Sequence, residues 1–199
     1  MKSKVGKALG WLLLIGIAVF LVVKYQNAKY AAQWSADFEK QAEANAQREV
    51  DNLFKNHWYV KTSTDAMTDK EVVIASLLSQ NIVNFGFPYE GGSSLTINIR
   101  KKNNDIDVYF TISKGQFVCS EYSGTDTMLI RFDDEEPVKY KMSESATNDS
   151  DILFIRYSSA ENTFLSKCKS AHSIKVQANF FEEGSKVFEF KVEEPLSAI

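Results

Sequence analysis

An unbroken apolar run from Ala8 to Val23 lies within a 29-residue N-terminal stretch that carries five lysines and no acid. As a helix rising about 1.5 Å per residue, these 16 residues span about 24 Å, somewhat less than a hydrocarbon core of about 30 Å. Lys7 and Lys24 close the gap by snorkelling. The expectation is a transmembrane anchor over residues 1–26, with a cleaved secretory signal and a buried helix as alternatives. A signal ending at Ala28, Ala31, Ala32 or Ala36 would place Gln26, Lys29, Tyr30 or Trp34 three residues before the cut, and none of these is small. No cysteine lies directly after the run, which excludes bacterial lipoprotein attachment. Lys2, Lys4, Lys7 and the α-amino group precede the run and only Lys24 and Lys29 follow it, so the positive-inside bias favours a cytoplasmic N-terminus.

The remainder would then lie outside the cytoplasm. Residues 30–199 hold 18 Lys plus Arg against 26 Asp plus Glu, a formal charge of −8. Nucleic-acid binding needs a basic surface to neutralise phosphates, so nucleic acid is not an expected partner. The two cysteines, Cys119 and Cys168, have two readings. In an oxidising compartment a disulfide would close a loop of about 50 residues and stabilise the fold by about 3–4 kcal/mol. Otherwise they are buried thiols acting as small hydrophobes.

Between Gly16 and Gly86 there is no glycine, and the first proline is Pro88, so a helix can leave the membrane without a break. Residues 27–56 are rich in Ala, Gln, Glu and Lys and are expected to form a helical stalk. Larger or apolar residues recur at every fourth position: Tyr30, Trp34, Phe38, Ala42, Ala46, Val50 and Phe54. Each step of four overshoots a turn by about 40°, so this stripe winds around the helix and lacks the 3.5-residue average of a left-handed coiled coil. Tyr30, Trp34 and Phe38 are expected at the membrane interface or against a partner helix. Val50, Leu53 and Phe54 are expected to pack on the domain that follows.

After His57 the period changes. Runs rich in Val, Ile, Phe, Tyr and Thr occupy 58–62, 71–79, 94–101, 107–113, 116–120, 128–132, 138–142, 152–157, 173–181 and 186–192. Gly91-Gly92, Asn103-Asn104-Asp105, Lys114-Gly115 and Glu183-Gly184-Ser185 separate successive runs as hairpin loops would. One helix interrupts them, with Ser158 or Ser159 as cap, Glu161 in its first turn, and Phe164, Leu165 and Cys168 on its inner face. The expected fold is mainly β (α+β): an N-terminal transmembrane helix and helical stalk, then an antiparallel β-sandwich-like exterior domain over residues 57–199 with one helix. The segment 143–151 reads as an exposed loop, and the residues after Pro195 as a loose end.

Candidate chemistry is sparse. The run Asp133-Asp134-Glu135-Glu136 offers oxygen ligands to a hard cation but lacks the spacing and glycine of a calcium loop, so it reads as a solvated hairpin tip. Asp65 and Asp69 form a carboxylate pair before a strand, and the bland reading makes them turn residues. His57 and His172 show no HxH or HExxH spacing, and no P-loop, GxGxxG or GxSxG occurs. No cofactor, metal site or enzymatic activity is therefore expected. The loop 84–92 sets Phe85, Phe87 and Tyr89 among Gly and Pro, either as an apolar lip for a partner or glycan or as aromatics folded back over the end of the domain.

Trp58, the Asp65-Ala-Met-Thr-Asp69 turn, a strand ending in Ser79, Leu95-Thr-Ile-Asn-Ile-Arg100, Gly115-Gln-Phe-Val-Cys119, Ile130-Arg-Phe-Asp133 and Phe188-Glu-Phe190 resemble, in this order, small bacterial envelope β-domain proteins. The layout over residues 58–192 is also similar to the periplasmic accessory protein associated with type VI secretion. The resemblance implies a β-rich, non-enzymatic envelope domain and carries no catalytic residue. The expected protein is a single-pass bacterial inner-membrane protein presenting a periplasmic β-domain to another envelope component, with Phe85, Phe87, Tyr89, Trp34 and Phe38 as contact residues. Two rivals are an envelope hydrolase acting on cell-wall material through Asp65, Asp69 or His172, and a structural homo-oligomer assembled through the membrane and stalk helices.

Overall fold

The computed structural model describes residues 21–43, 45 and 56–199. The chain divides into two compact units, Met1–Val50 and Asp51–Ile199. In the first, residues 21–43 form one helix, α1, and its Tyr25, Tyr30, Trp34 and Phe38 are all exposed. Among the described residues no helix is long and apolar enough to cross a membrane. Most of the expected anchor falls on residues 1–20, and Val50, Leu53 and Phe54 fall on 46–55, all outside the described residues.

The described residues of the second unit form nine strands and one helix: β1 (Tyr59–Thr64), β2 (Glu71–Leu78), β3 (Leu95–Lys102), β4 (Asp105–Ile112), β5 (Thr127–Phe132), β6 (Val138–Glu144), β7 (Ile152–Ile155), α2 (Ser158–Cys168), β8 (Ser173–Phe180) and β9 (Gly184–Lys191). The alternating sequence pattern sets the register. Leu95, Ile97 and Ile99 on β3 face the same core as Val108, Phe110 and Ile112 on β4, Met128, Ile130 and Phe132 on β5, and Ile174, Val176, Ala178 and Phe180 on β8. Side chains one position away point to the other face and are largely half-buried or exposed. The tight turns follow local chemistry: Asn103, at φ 57°, turns β3 into β4, and Gly184, at φ 67°, opens β9.

All neighbouring strands are antiparallel, and they join in one order, β1-β2-β3-β4-β7-β6-β5-β8-β9. The antiparallel β-rich domain agrees with expectation, but its two layers are the two ends of a single sheet. The sheet curls until those ends meet. Just beyond β2, next to one edge, the Gln80 N–H donates to the Glu189 carbonyl on β9, the opposite edge strand, at 2.7 Å. The Asn81 side chain adds bonds to the Val187 carbonyl and the Glu189 N–H. The first of these two edges, β1, carries six exposed residues.

The curled sheet closes around α2. Phe164 is fully buried, its ring edge-on to Phe110 at 5.8 Å, Phe132 at 5.2 Å and Tyr140 at 5.8 Å, so one side chain ties β4, β5 and β6 to the helix. Neither serine caps α2. Tyr157 occupies the N-cap with no side-chain capping bond, its backbone extended as the chain enters the helix after β7. Two other expectations change. Residues 116–120 form no strand: Phe117 alone bridges to Phe180 as the chain crosses the end of the curled sheet. The C-terminal residues are held, with Leu196 buried and its N–H donating to the Cys168 carbonyl at 3.1 Å.

Candidate interaction site

The segment 79–94 joins β2 to β3 and is fastened along its length. Ser79 bonds through its backbone N–H to the Leu95 carbonyl and through its hydroxyl to the Leu95 N–H and the Asn81 carbonyl. Val83 and Ser93 form an antiparallel bridge. At the tip, the Tyr89 N–H donates to the Gly86 carbonyl at 2.9 Å across a turn containing the cis Phe87-Pro88 bond. The Gly86 N–H donates to the Glu183 carboxylate in the β8–β9 turn. That bond and Lys186, whose Nζ lies 3.4 Å from the second Glu183 oxygen, hold the Glu183 carboxyl below its ordinary range.

These fastenings divide the three aromatics of the loop. Phe85, at 5% exposure, is a core residue packed on Phe180 with ring centroids 4.9 Å apart, which removes it from the expected contact surface. Its place exists because Gly115, at φ +111°, has no Cβ: one there would lie 2.5 Å from the Phe85 ring. Tyr89 is half-buried against the core. Phe87, at 87% exposure, alone of the three projects into solvent. Sequence reasoning missed three other exposed apolar residues nearby in the fold. Ile82, Phe181 and Val187 are exposed apolar residues on the two segments that the Glu183 and Asn81 bonds draw together. The available signal was Phe181 and Val187 at out-facing positions flanking the Glu183-Gly184 turn.

Other sequence candidates fall into separate networks. Asp65 accepts from the N–H groups of Met67 and Thr68 and from the Thr68 hydroxyl, and pairs with Lys102 Nζ at 2.6 Å. The lysine, then the turn donors, hold its carboxyl far below the usual carboxylate range. Asp69, at φ 52°, completes the same turn. His172 lies elsewhere, its N–H donating to Asp133 Oδ1 at 2.9 Å and its Nδ1 facing the Val192 carbonyl at 3.4 Å. His57 Nε2 lies 3.2 Å from Glu193 Oε2. Asp65 and Asp69 thus bond within one turn and to Lys102, whereas His172 bonds to Asp133 and faces Val192, in two separate networks.

The acidic run is an exposed tip with structural bonds. Asp133 accepts from the His172 and Ser173 N–H groups, Asp134 pairs with Arg131 and Glu135 with Lys167. Among the described residues no group of three His, Cys, Asp or Glu converges as a metal site. Cys119 and Cys168 are free thiols: Cys168 is buried in the inner face of α2 and Cys119 half-buried after β4, and burial raises both thiol pKa values. Glu161, expected on the first turn of α2, proves buried, accepting the Val108 N–H at 3.2 Å, and desolvation pushes its pKa up. Trp34 and Phe38 project from α1 into solvent. Comparisons with family models, curated proteins and solved structures find no match for this chain.

Proposed function

We propose that this chain is a membrane-tethered binding protein of the bacterial envelope. Its apolar N-terminal run is the single-pass anchor, its N-terminus is cytoplasmic, and its periplasmic β-domain docks another envelope protein through the Phe87 tip. The carrying observation is the contrast within one loop: Phe85 is locked in the core, Gly86 is bonded to Glu183, and between these and half-buried Tyr89 the ring of Phe87 stands 87% exposed. An apolar side chain on so well-fastened a loop loses little conformational freedom on binding, which favours its use as an anchor residue. Ile82, Phe181 and Val187 extend the apolar contact, and Lys186 and Glu183 supply a polar rim. The acidic balance of residues 30–199 supports a protein partner over nucleic acid. Asp65, held ionised in an ion pair, is poorly suited to act as the proton donor of a hydrolase.

A photoreactive residue at Phe87 of the full chain in intact cells, with a second at exposed Asp134 as control, tests this reading. One discrete envelope protein captured from position 87 and absent from position 134 is the expected result. No adduct, or the same adducts from both positions, would overturn it.

A further inference from the structure

We infer that α1 is a crossing contact between two copies of this chain, parallel in one membrane, made by Tyr30, Trp34 and Phe38; the inference rests on the anchoring proposed above. These three residues are 61%, 77% and 73% exposed and follow one another at four-residue spacing, so they cover only about 80° of the helix surface. Asp37 borders that face, and the lysines and glutamates of α1 lie on the remaining arc.

Helix length decides between a lipid and a protein occupant. Residues 21–43 are continuously helical, and no glycine or proline interrupts the sequence between residues 17 and 85. From Val23, the end of the apolar run, Tyr30, Trp34 and Phe38 stand about 10, 16 and 22 Å further along the axis. The headgroup layer on one side of a bilayer is only about 5–7 Å deep. A tilt of about 40° shortens the Trp34 height to about 13 Å, and starting the count at Asn27 still leaves it about 10 Å along the axis. Trp34 and Phe38 therefore rise past the headgroups into water, where an interfacial belt has no use for them.

A second copy fits the stripe. Two anchored copies enter the periplasm side by side with the same orientation and present the same face. Residues at four-residue spacing form the ridge that interdigitates when helices cross at about −50°, a short contact centred on Trp34. Beside this ridge run Ala31 and Ser35, small enough to receive a partner's rings. Three such side chains bury about 400 Å² per copy, or about 800 Å² per pair, below the roughly 1,200 Å² of a stable soluble interface. The contact is thus one that forms when a shared bilayer confines both copies.

The test places a photoreactive residue at Trp34, or at Ala32 on the opposite face, in the full chain in native membranes, with alkaline carbonate extraction alongside. A covalent homodimer from position 34, at least tenfold above position 32 and at least tenfold reduced by Phe38→Ala, is expected. Lipid adducts from position 34 would overturn the inference in favour of an interfacial helix, and adducts with a different protein would also overturn it. A chain that resists extraction yet gives no dimer overturns the inference and leaves the anchoring intact. A chain released by carbonate overturns the anchoring and the inference with it.

Discussion

Removal of the Phe164 ring should open the middle of the domain. The side chain is fully buried and meets Phe110, Phe132 and Tyr140 edge-on, so Phe164→Ala loses the ring's transfer energy, leaves a cavity and breaks three aromatic pairs. Phe→Ala in a core costs about 3–5 kcal/mol, and three pairs place this site near the upper end, about 4–5 kcal/mol. That is a large share of the roughly 5–15 kcal/mol holding an ordinary domain together. With a urea slope of about 2 kcal/mol per molar, the unfolding midpoint should fall by about 2 M. The assay is urea unfolding of the full chain in mild detergent, followed by the far-ultraviolet circular dichroism of the strands. Phe164→Leu, which keeps most of the volume, should cost about 1–1.5 kcal/mol. Phe181→Ala removes the same group from an exposed site and should cost about 0.5 kcal/mol or less. A Phe164→Ala midpoint no lower than that of Phe181→Ala would refute α2 as the element that closes the sheet.

Acid should destabilise the domain through Asp65 and Asp126, whose pKa values are lowered from 3.8 mainly by Lys102 and Lys141: their contribution is complete above the ordinary Asp value and lost as pH falls through the lower folded values. Glu161 works in the opposite sense, its contribution complete below 4.5 and lost as pH rises through its raised folded value, so Glu161→Gln should gain stability over the parent at pH 7 and lose that gain by pH 4 in the same unfolding assay. Gly115→Ala should cost about 1–3 kcal/mol and lower the crosslinking yield from position 87, since it sets a methyl against the Phe85 ring at a positive φ; an unchanged midpoint would show the loop is not fastened there.

The strands were legible because each is a local statement. In β3 and β4 the alternation of Leu95, Ile97 and Ile99 and of Val108, Phe110 and Ile112 fixes both period and face, and Asn103 marks the turn between them. What the alternation does not encode is which strands meet. β4 pairs with β7, and β5 with β8, through segments 40 or more residues apart, and the curl appears only when Gln80 finds Glu189. The Gln116 to Ser120 run shows the limit from the other side: its composition suits a strand, but it pairs in β fashion only at the single Phe117–Phe180 bridge.

The aromatic loop carries the same lesson to the candidate site. Phe85 and Phe87 are the same residue two positions apart, and no local rule separates them. Phe85 is buried because Gly115 yields space and Phe180 supplies a ring, residues 30 and 95 positions away that only the closed sheet brings to it. Phe87 is exposed because its neighbours on either side are fastened: Gly86 to Glu183, and Tyr89 to the core and to the Gly86 carbonyl. The burial of one ring thus helps set the display of the other. The proposed partner surface is therefore a product of the domain's folding, and destabilising the Phe85 pocket should weaken the proposed docking even though Phe85 itself is buried.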